Sequence, residues 1–279
     1  MPRPAASLPP AAQELCPYVG WYADVAVDGP RDRWTVQRVS PPGGATLSLR
    51  WSGAVALRSR ARLVQPPAIT FTGPITVGGV TACAGALRLL AVFFTAAGAH
   101  DLFGLDMARF TDRSVAAEPL LGEWTRALAD AVGRAEVPEE RRAAAEAALL
   151  ELVSARRARP GLASRAAALV RARSGAGAVA ELPEALGVSE RTLRRYFVRE
   201  VGVPLKVYAR WVRFSRAHEY LQGPGNRSGV EAAYRFGYAD QAHLIREFRH
   251  FAGEPPSQWV AAERLYDPAF VACGGRPQT

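Results

Sequence analysis

Lysine is almost missing from this chain: of 35 basic residues in 279, Lys206 is the one lysine and the rest are arginines. Cysteine is scarce as well. Cys16, Cys83 and Cys273 stand far apart, in no metal-ligand spacing and in no disulfide framework. That excludes a disulfide-stapled secreted scaffold and points to a reducing compartment. The four histidines, His100, His218, His243 and His250, never take the paired spacing of a zinc site, so no metal and no cofactor is expected. The start of the chain, MPRPAASLPPAAQELC, lacks a basic region followed by an apolar core, which removes the signal-peptide reading. Long uncharged runs are few. Leu89–His100 is too short to cross a bilayer, and Pro66, Pro67 and Pro74 forbid a continuous helix over Leu63–Leu87. The expectation is a soluble cytoplasmic protein with no membrane partner.

What is present is a hydrophobic share of 49%, enough to bury a core and to rule out wholesale disorder. The length suggests two domains. A formal charge of +9 suits an anionic partner, although charge speaks to association and not to fold. An Arg-biased coding preference explains the excess equally well. Residues 164–279 carry 17 basic against 11 acidic residues, whereas residues 1–163 carry 18 against 15.

Residues 1–115 read as short strands between turn signals. Leu47, Leu49 and Trp51 alternate with Ser48 and Arg50, the pattern of a half-buried strand. Val36–Val39, Val55–Leu57, Ile69–Phe71 and Ile75–Val77 are further strands, punctuated by PPGG, PP and GP. The apolar run Leu89–Phe94 belongs at the centre of the sheet. From Glu118 the period becomes helical: Leu120, Leu121, Trp124, Leu128 and Val132 recur at three and four, with Gly133 as the expected C-cap. A second helix starts at Pro138 and runs to about Ala158, and a third spans roughly Ser164 to Arg173. Residues 116–161 are thus a helical connector with dimerisation as its candidate role.

The last hundred residues hold one pattern twice. ELPEALGVSERTLRRYFVREVGVPLKVY (181–208) is echoed by EAAYRFGYADQAHLIREFRHFAGEPPSQW (231–259). At an offset of 50, Glu181, Leu186 and Gly187 match Glu231, Phe236 and Gly237. At 51, Leu193, Arg195, Phe197, Gly202, Pro204 and Tyr208 match Leu244, Arg246, Phe248, Gly253, Pro255 and Trp259. Two similar supersecondary units follow.

Each unit has the chemistry of a helix-turn-helix. A short helix ends at Gly187 or Gly237, able to take the positive φ of a tight turn. Ser189 or Asp240 then caps the next helix. Leu193 with Phe197, and Leu244 with Phe248, form the buried stripes. The opposite faces carry Arg191, Arg194 and Arg195 in the first unit, and Gln241, His243 and Arg246 in the second. Arg pairs with guanine and Gln with adenine in the major groove. Leu205–Leu221 reads as an amphipathic helix that holds both units.

On these residues the region 162–263 resembles the DNA-binding domain of AraC/XylS-type transcription regulators. The match runs through GVSERTLRRYF, RFSRA and FGYADQAHLIREFRHFAGEPPSQW. The resemblance implies an all-α domain, with helix-turn-helix units at about 179–201 and 229–252. Its two recognition helices would enter major-groove segments about one turn, roughly 34 Å, apart. It assigns base reading to Arg191, Arg194, Arg195, Gln241, His243 and Arg246. Ser189, Arg199, Asp240 and Arg249 become phosphate or cap residues. It further implies promoter DNA as partner, an activator's contact with RNA polymerase, a small-molecule effector and a homodimer. Three departures stand out. Pro183 sits where such helices carry a small residue, so the first helix should be short or kinked. Leu244 replaces an aromatic, and Ala239 and Ala242 replace polar residues, which shifts base reading toward the first unit.

The amino-terminal half, through PYVGWY, GPITVGG, LRLLAVFFTAAGAHDLFG and FTDRSV, resembles the β-rich, cupin-like sensor domain of one AraC-type branch. The whole is then multidomain α+β, ending in a tail at 264–279. His100–Asp101 reads as a turn pair, not a catalytic dyad. Tyr18, Trp21 and Tyr22 are ordinary core aromatics or pocket lining. Arg156–Arg159 is a solvated helix end or a DNA contact. No enzyme is expected. Two alternatives stay open. One is a non-specific, nucleoid-like DNA binder. The other is an enzyme with catalysis in the amino-terminal half, which needs an activated cysteine that neither Cys16 nor Cys83 provides.

Overall fold

The computed structural model describes residues 6–28, 35–59, 62–175, 179–223, 225 and 227–257. Trp259, Cys273 and the tail at 264–279 lie outside them.

Among the described residues, the strands of the amino-terminal half form one antiparallel sheet of eight. They are β1 (Ala6–Leu8), β2 (Val19–Val27), β3 (Thr35–Val39), β4 (Thr46–Ser59), β5 (Arg62–Val64), β6 (Ile69–Thr72), β7 (Gly79–Phe94) and β8 (Ser114–Ala116). The order is β1-β2-β7-β4-β6-β8, with β3 on β7 and β5 on β4. Leu89–Phe94 is central, as expected, but belongs to a longer strand. β7 pairs β3 through its first half and β2 through its second, and runs along β4 for its whole length. Val55–Leu57 is not a separate strand either. It continues β4 after register shifts between Arg50 and Ala54, which bend the strand without ending it.

Alternation along these strands separates two faces. Tyr22, Leu47, Leu49, Leu90 and Val92 join one core with the helices that follow the sheet. Ala23, Val25, Val55, Leu87 and Ala91 join a second core on the opposite face. The first core is covered by α1 (Gly98–Phe103), α2 (Glu118–Leu121), α3 (Trp124–Arg134) and α4 (Pro138–Arg156). Each fully buried leucine there, Leu128 or Leu149 among them, contributes about 1.5–3 kcal/mol. Asp24 on β2 takes Arg141 of α4 at 3.0 Å, and the same guanidinium lies over Trp51. Burial still pushes the Asp24 carboxyl above its ordinary range.

Three local expectations are corrected. Ile75–Val77 is a turn, not a strand, and its side chains are only half-buried. Gly133 lies inside α3, which ends on Ala135. The glycine that interrupts this helical run is Gly122, between α2 and α3. His100–Asp101 sits within α1, so a short helix and not a turn positions both groups.

The carboxy-terminal half is helical among the described residues: α5 (Leu162–Ala172), α6 (Leu182–Leu186), α7 (Glu190–Val201), α8 (Leu205–Gln222), α9 (Gly229–Arg235) and α10 (Gln241–Ala252). They share one core, centred on Phe197, Tyr208, Phe214, Phe248 and Phe251, which Ala96 and Ala97 of the sheet domain also join. The halves meet at hydrogen bonds. Thr111 donates to the Gly202 carbonyl at 2.6 Å and the Trp211 indole donates to the Pro41 carbonyl at 2.7 Å. Asp101 of α1 accepts from Gly161 N–H and the Ser164 hydroxyl. Glu200 of α7 accepts from Ala163 N–H at 3.1 Å. Two carboxylates from different halves thereby cap the start of α5, where unpaired N–H groups favour negative charge. No helix among the described residues is long and apolar enough to cross a membrane.

Candidate nucleic-acid interface

The first unit is built on a deliberately short helix. Pro183 stands in the opening turn of α6, which spans only Leu182–Leu186, the short form that its missing N–H predicts. Gly187 follows with φ 67°, and Gly237 takes φ 68° in the second unit. Both reverse the chain in the left-handed region, which favours glycine. Ser189 accepts from Thr192 N–H at 3.1 Å, and Asp240 accepts from His243 N–H at 2.6 Å. Both expected N-caps therefore form, and α7 and α10 each start on one. Ser228 caps α9 in the same way.

Leu193, Phe197, Leu244 and Phe248 are buried, so the faces opposite them are fixed toward solvent. Arg191, Arg194, Arg195 and Arg199 are exposed on α7. Glu190, Arg191, Arg194, Arg195 and Val198 border one shallow open depression. None of these four arginines forms an ion pair with a described residue; the Arg195 guanidinium lies 5.2 Å from the Tyr196 ring centre. On α10, Gln241, Arg246 and Arg249 are exposed. His243 is drawn inward: it stacks edge-on against Tyr238 and takes Ala239 N–H at 3.4 Å.

The sequence-assigned residues of each unit thus share a surface, with His243 the least available. Ser189 is engaged as a cap, since its hydroxyl also contacts the Thr192 hydroxyl at 2.9 Å.

α8 fixes the two faces relative to each other. Tyr208 packs on Phe197 of α7 at 5.6 Å, and Phe214 packs on Phe248 and Phe251 of α10 at 4.9 and 5.2 Å. Arg210 grips Glu247 with two hydrogen bonds, 3.1 and 2.7 Å, a fork geometry that sets orientation as well as contact. Arg213 donates to the Gly237 carbonyl and lies over Tyr238. The residues that brace the units, Arg210, Arg213 and Glu247, escaped the sequence reading. Their signal was present as an arginine repeat on one helix, but nothing local distinguishes a bracing arginine from a phosphate-binding one. Val230 and Tyr234, 62% and 89% exposed on α9, also went unread.

Residues 182–262, spanning both units, match a family described as a helix-turn-helix domain. This is a DNA-binding domain of the AraC type, the kind found in transcription regulators. No curated protein matches the chain. Among solved structures, an apo form of ToxT from Vibrio cholerae strain SCE256 is similar at 11% identity and a TM-score of 0.48, covering 86% of this chain and 97% of that one. The unsaturated fatty acid bound wild-type ToxT of that strain gives 0.46 at 11% identity, over 82% of this chain and 94% of the other. The AraC-like transcriptional activator CuxR gives 0.30 at 12% identity, over 95% and 88%.

Proposed function

We propose that the chain is a one-component transcription regulator that reads promoter DNA with α7 and α10 and receives a signal through its sheet domain. The observation that carries this reading is the pair of exposed, capped helix faces, one rich in exposed arginines, locked together through α8. Phosphate contacts from Arg199 and Arg249 supply salt-dependent affinity, and Arg191, Arg194, Arg195, Gln241 and Arg246 supply discrimination. Input from the sheet domain works by shifting the population of DNA-competent molecules.

Burial and chemistry support this over the enzyme alternative. Cys83 is buried and desolvation raises its thiol above the ordinary range, the opposite of an activated nucleophile. Cys16 is exposed and has no charged partner in the structure among the described residues. The non-specific binder is separated by experiment: selection of bound sites from random duplexes. Enrichment of a defined sequence is expected. Equal recovery of all sequences, with a steep salt slope, would replace the regulator by the nucleoid-like protein.

A further inference from the structure

The face of the sheet turned away from α3 and α4 holds a cavity of about 180 Å³. One wall is the stacked pair Trp21 and Phe93, with centroids 3.7 Å apart and planes 5° from parallel. Leu89, Ala91 and Val25 continue an almost wholly apolar lining. Six hydroxyl side chains, from Ser40, Thr46, Ser48, Thr70, Thr72 and Thr81, reach the lining but expose little polar surface to it, and two of them are engaged with protein partners. Thr70 donates to the Pro67 carbonyl at 2.6 Å, and Thr72 shares a hydrogen bond with Ser114 at 3.0 Å. Arg50 is the one charged side chain of the wall among the described residues, and its guanidinium donates to the Gly53 and Pro66 carbonyls.

Two turns form the wall and also touch the DNA-binding helices. In the turn at 40–44, Ser40 and Pro42 line the cavity while the Pro41 carbonyl holds the Trp211 indole. A methyl group on Gly43 would overlap the Trp211 ring. Trp211 stacks on Tyr208, which packs on Phe197 of α7. In the turn at 73–78, Ile75 lines the cavity. Pro74 abuts Gly202 at the end of α7, and Gly78 abuts the Phe251 carbonyl at the end of α10. Thr76 anchors that turn through its N–H and hydroxyl to the Asp112 carboxylate, at 2.7 and 2.6 Å.

We propose that the cavity takes a compact, uncharged, ring-bearing molecule, and that these two turns carry its occupancy to α8 and the ends of α7 and α10. The volume suits one ring or two fused rings, since a cavity of about 150 Å³ accommodates benzene. Ring stacking against Trp21 and Phe93 rewards a flat or compact hydrocarbon body. A sugar would strand most of its hydroxyls against apolar carbon, and a carboxylate would leave water for a wall that turns very little polar surface to the cavity. Because the turns are close-packed on both sides, filling the cavity strains the contacts they make outside it. The transmission half of this inference rests on the regulator reading; the ligand half does not.

The test uses the full chain and titration calorimetry with acetophenone, indole and camphor, plus benzoate as the charged isostere of acetophenone and glucose as the sugar. At least one neutral ring compound should bind one-to-one and raise the thermal midpoint, with benzoate about tenfold weaker or worse and glucose silent. No binding by any of the three at millimolar concentration, or benzoate equal to acetophenone, overturns the ligand class. Ala91→Phe and Ala23→Phe, two independent fillings, should each abolish binding while circular dichroism stays native. Retained binding in either folded variant places the ligand elsewhere. Transmission is read without DNA, by hydrogen exchange of residues 205–222. Ligand should change that exchange by about fivefold or more in the wild type. It should leave Trp211→Phe, which lacks the indole N–H, nearly unchanged although ligand still binds. An equal response in Trp211→Phe overturns the route, whereas failure to select any DNA sequence removes the regulator and leaves the ligand result standing.

Discussion

The two helix-turn-helix units share a pattern but not a situation. α7 presents four exposed arginines; its end is held by Glu200 to the start of α5 and by Thr111 on Gly202 to the sheet domain. α10 presents a mixed face on which His243 is turned toward Tyr238, and its chief tether is Glu247 to Arg210 of α8. One unit is hydrogen-bonded to the sheet domain; the other is held chiefly to α8. Duplicated architecture thus leaves room for divided labour, decided by which neighbours each recognition helix acquires.

The most severe way to test whether the units stand as one body is to empty their common core. Phe197→Ala and Phe248→Ala should each destabilise the chain by about 3–5 kcal/mol, measured by denaturant unfolding. Both should shift one shared transition of the helical half; two separate transitions would mean the units are energetically independent. Next in size is DNA reading. Arg195→Ala should cost about 1–3 kcal/mol of specific binding and relax selectivity at one base, while His243→Ala should cost less. Equal losses on specific and random duplexes would make Arg195 a phosphate contact, and a larger loss for His243 would reverse the comparison. Thr111→Val removes the hydrogen bond that ties the end of the first unit to the sheet domain. It should cost about 0.5–1.5 kcal/mol, followed by thermal unfolding.

The smallest effect concerns pH. Burial is the main reason the Asp101 carboxyl stands above its ordinary range, against the pull of Ser164 and Gly161. A carboxyl raised on folding favours the native state when protonated. Its contribution is full below the unfolded value and is lost as pH climbs through the folded one. Asp101→Asn should therefore gain thermal stability over wild type at neutral pH. That advantage should shrink as pH falls to about 4, the ordinary Asp range. A constant offset at all pH values would show that the charge is irrelevant to the clamp on the first unit.

The repeat was legible because its signals are local: a turn glycine, a cap, and apolar residues four apart. Pro183 even foretold the five-residue α6. The sheet was legible in its pieces and not in their joining. β4 and β7 read as fragments because the register shifts near Ser52 break the alternation that marks a strand. Ile75 was misread because a half-buried residue that lines a cavity has the same apolar signature as one paired in a sheet. Trp21 was an open choice in sequence, and the structure sets it on the cavity side while Tyr18 and Tyr22 enter the opposite core. Tyr18 reaches the Ala158 carbonyl, and Arg156 donates to the Phe103 carbonyl, so part of the basic run is a strut and not a loose end. Contacts such as Trp211 to Pro41 join residues 170 positions apart; no window of sequence contains both.

The seam between the halves has an evolutionary consequence. At Gly43 and Gly78 a side chain has no volume to occupy, because the neighbour across the gap is an aromatic ring or a main-chain carbonyl. A chain drifting by point mutation can swap the exposed side chains of α7 and α10 freely, since they project into solvent. It cannot acquire even an alanine at either turn without moving one half against the other. The exposed helix faces are therefore free to diverge among descendants of this chain, while the docking of its halves can only be inherited whole or abandoned.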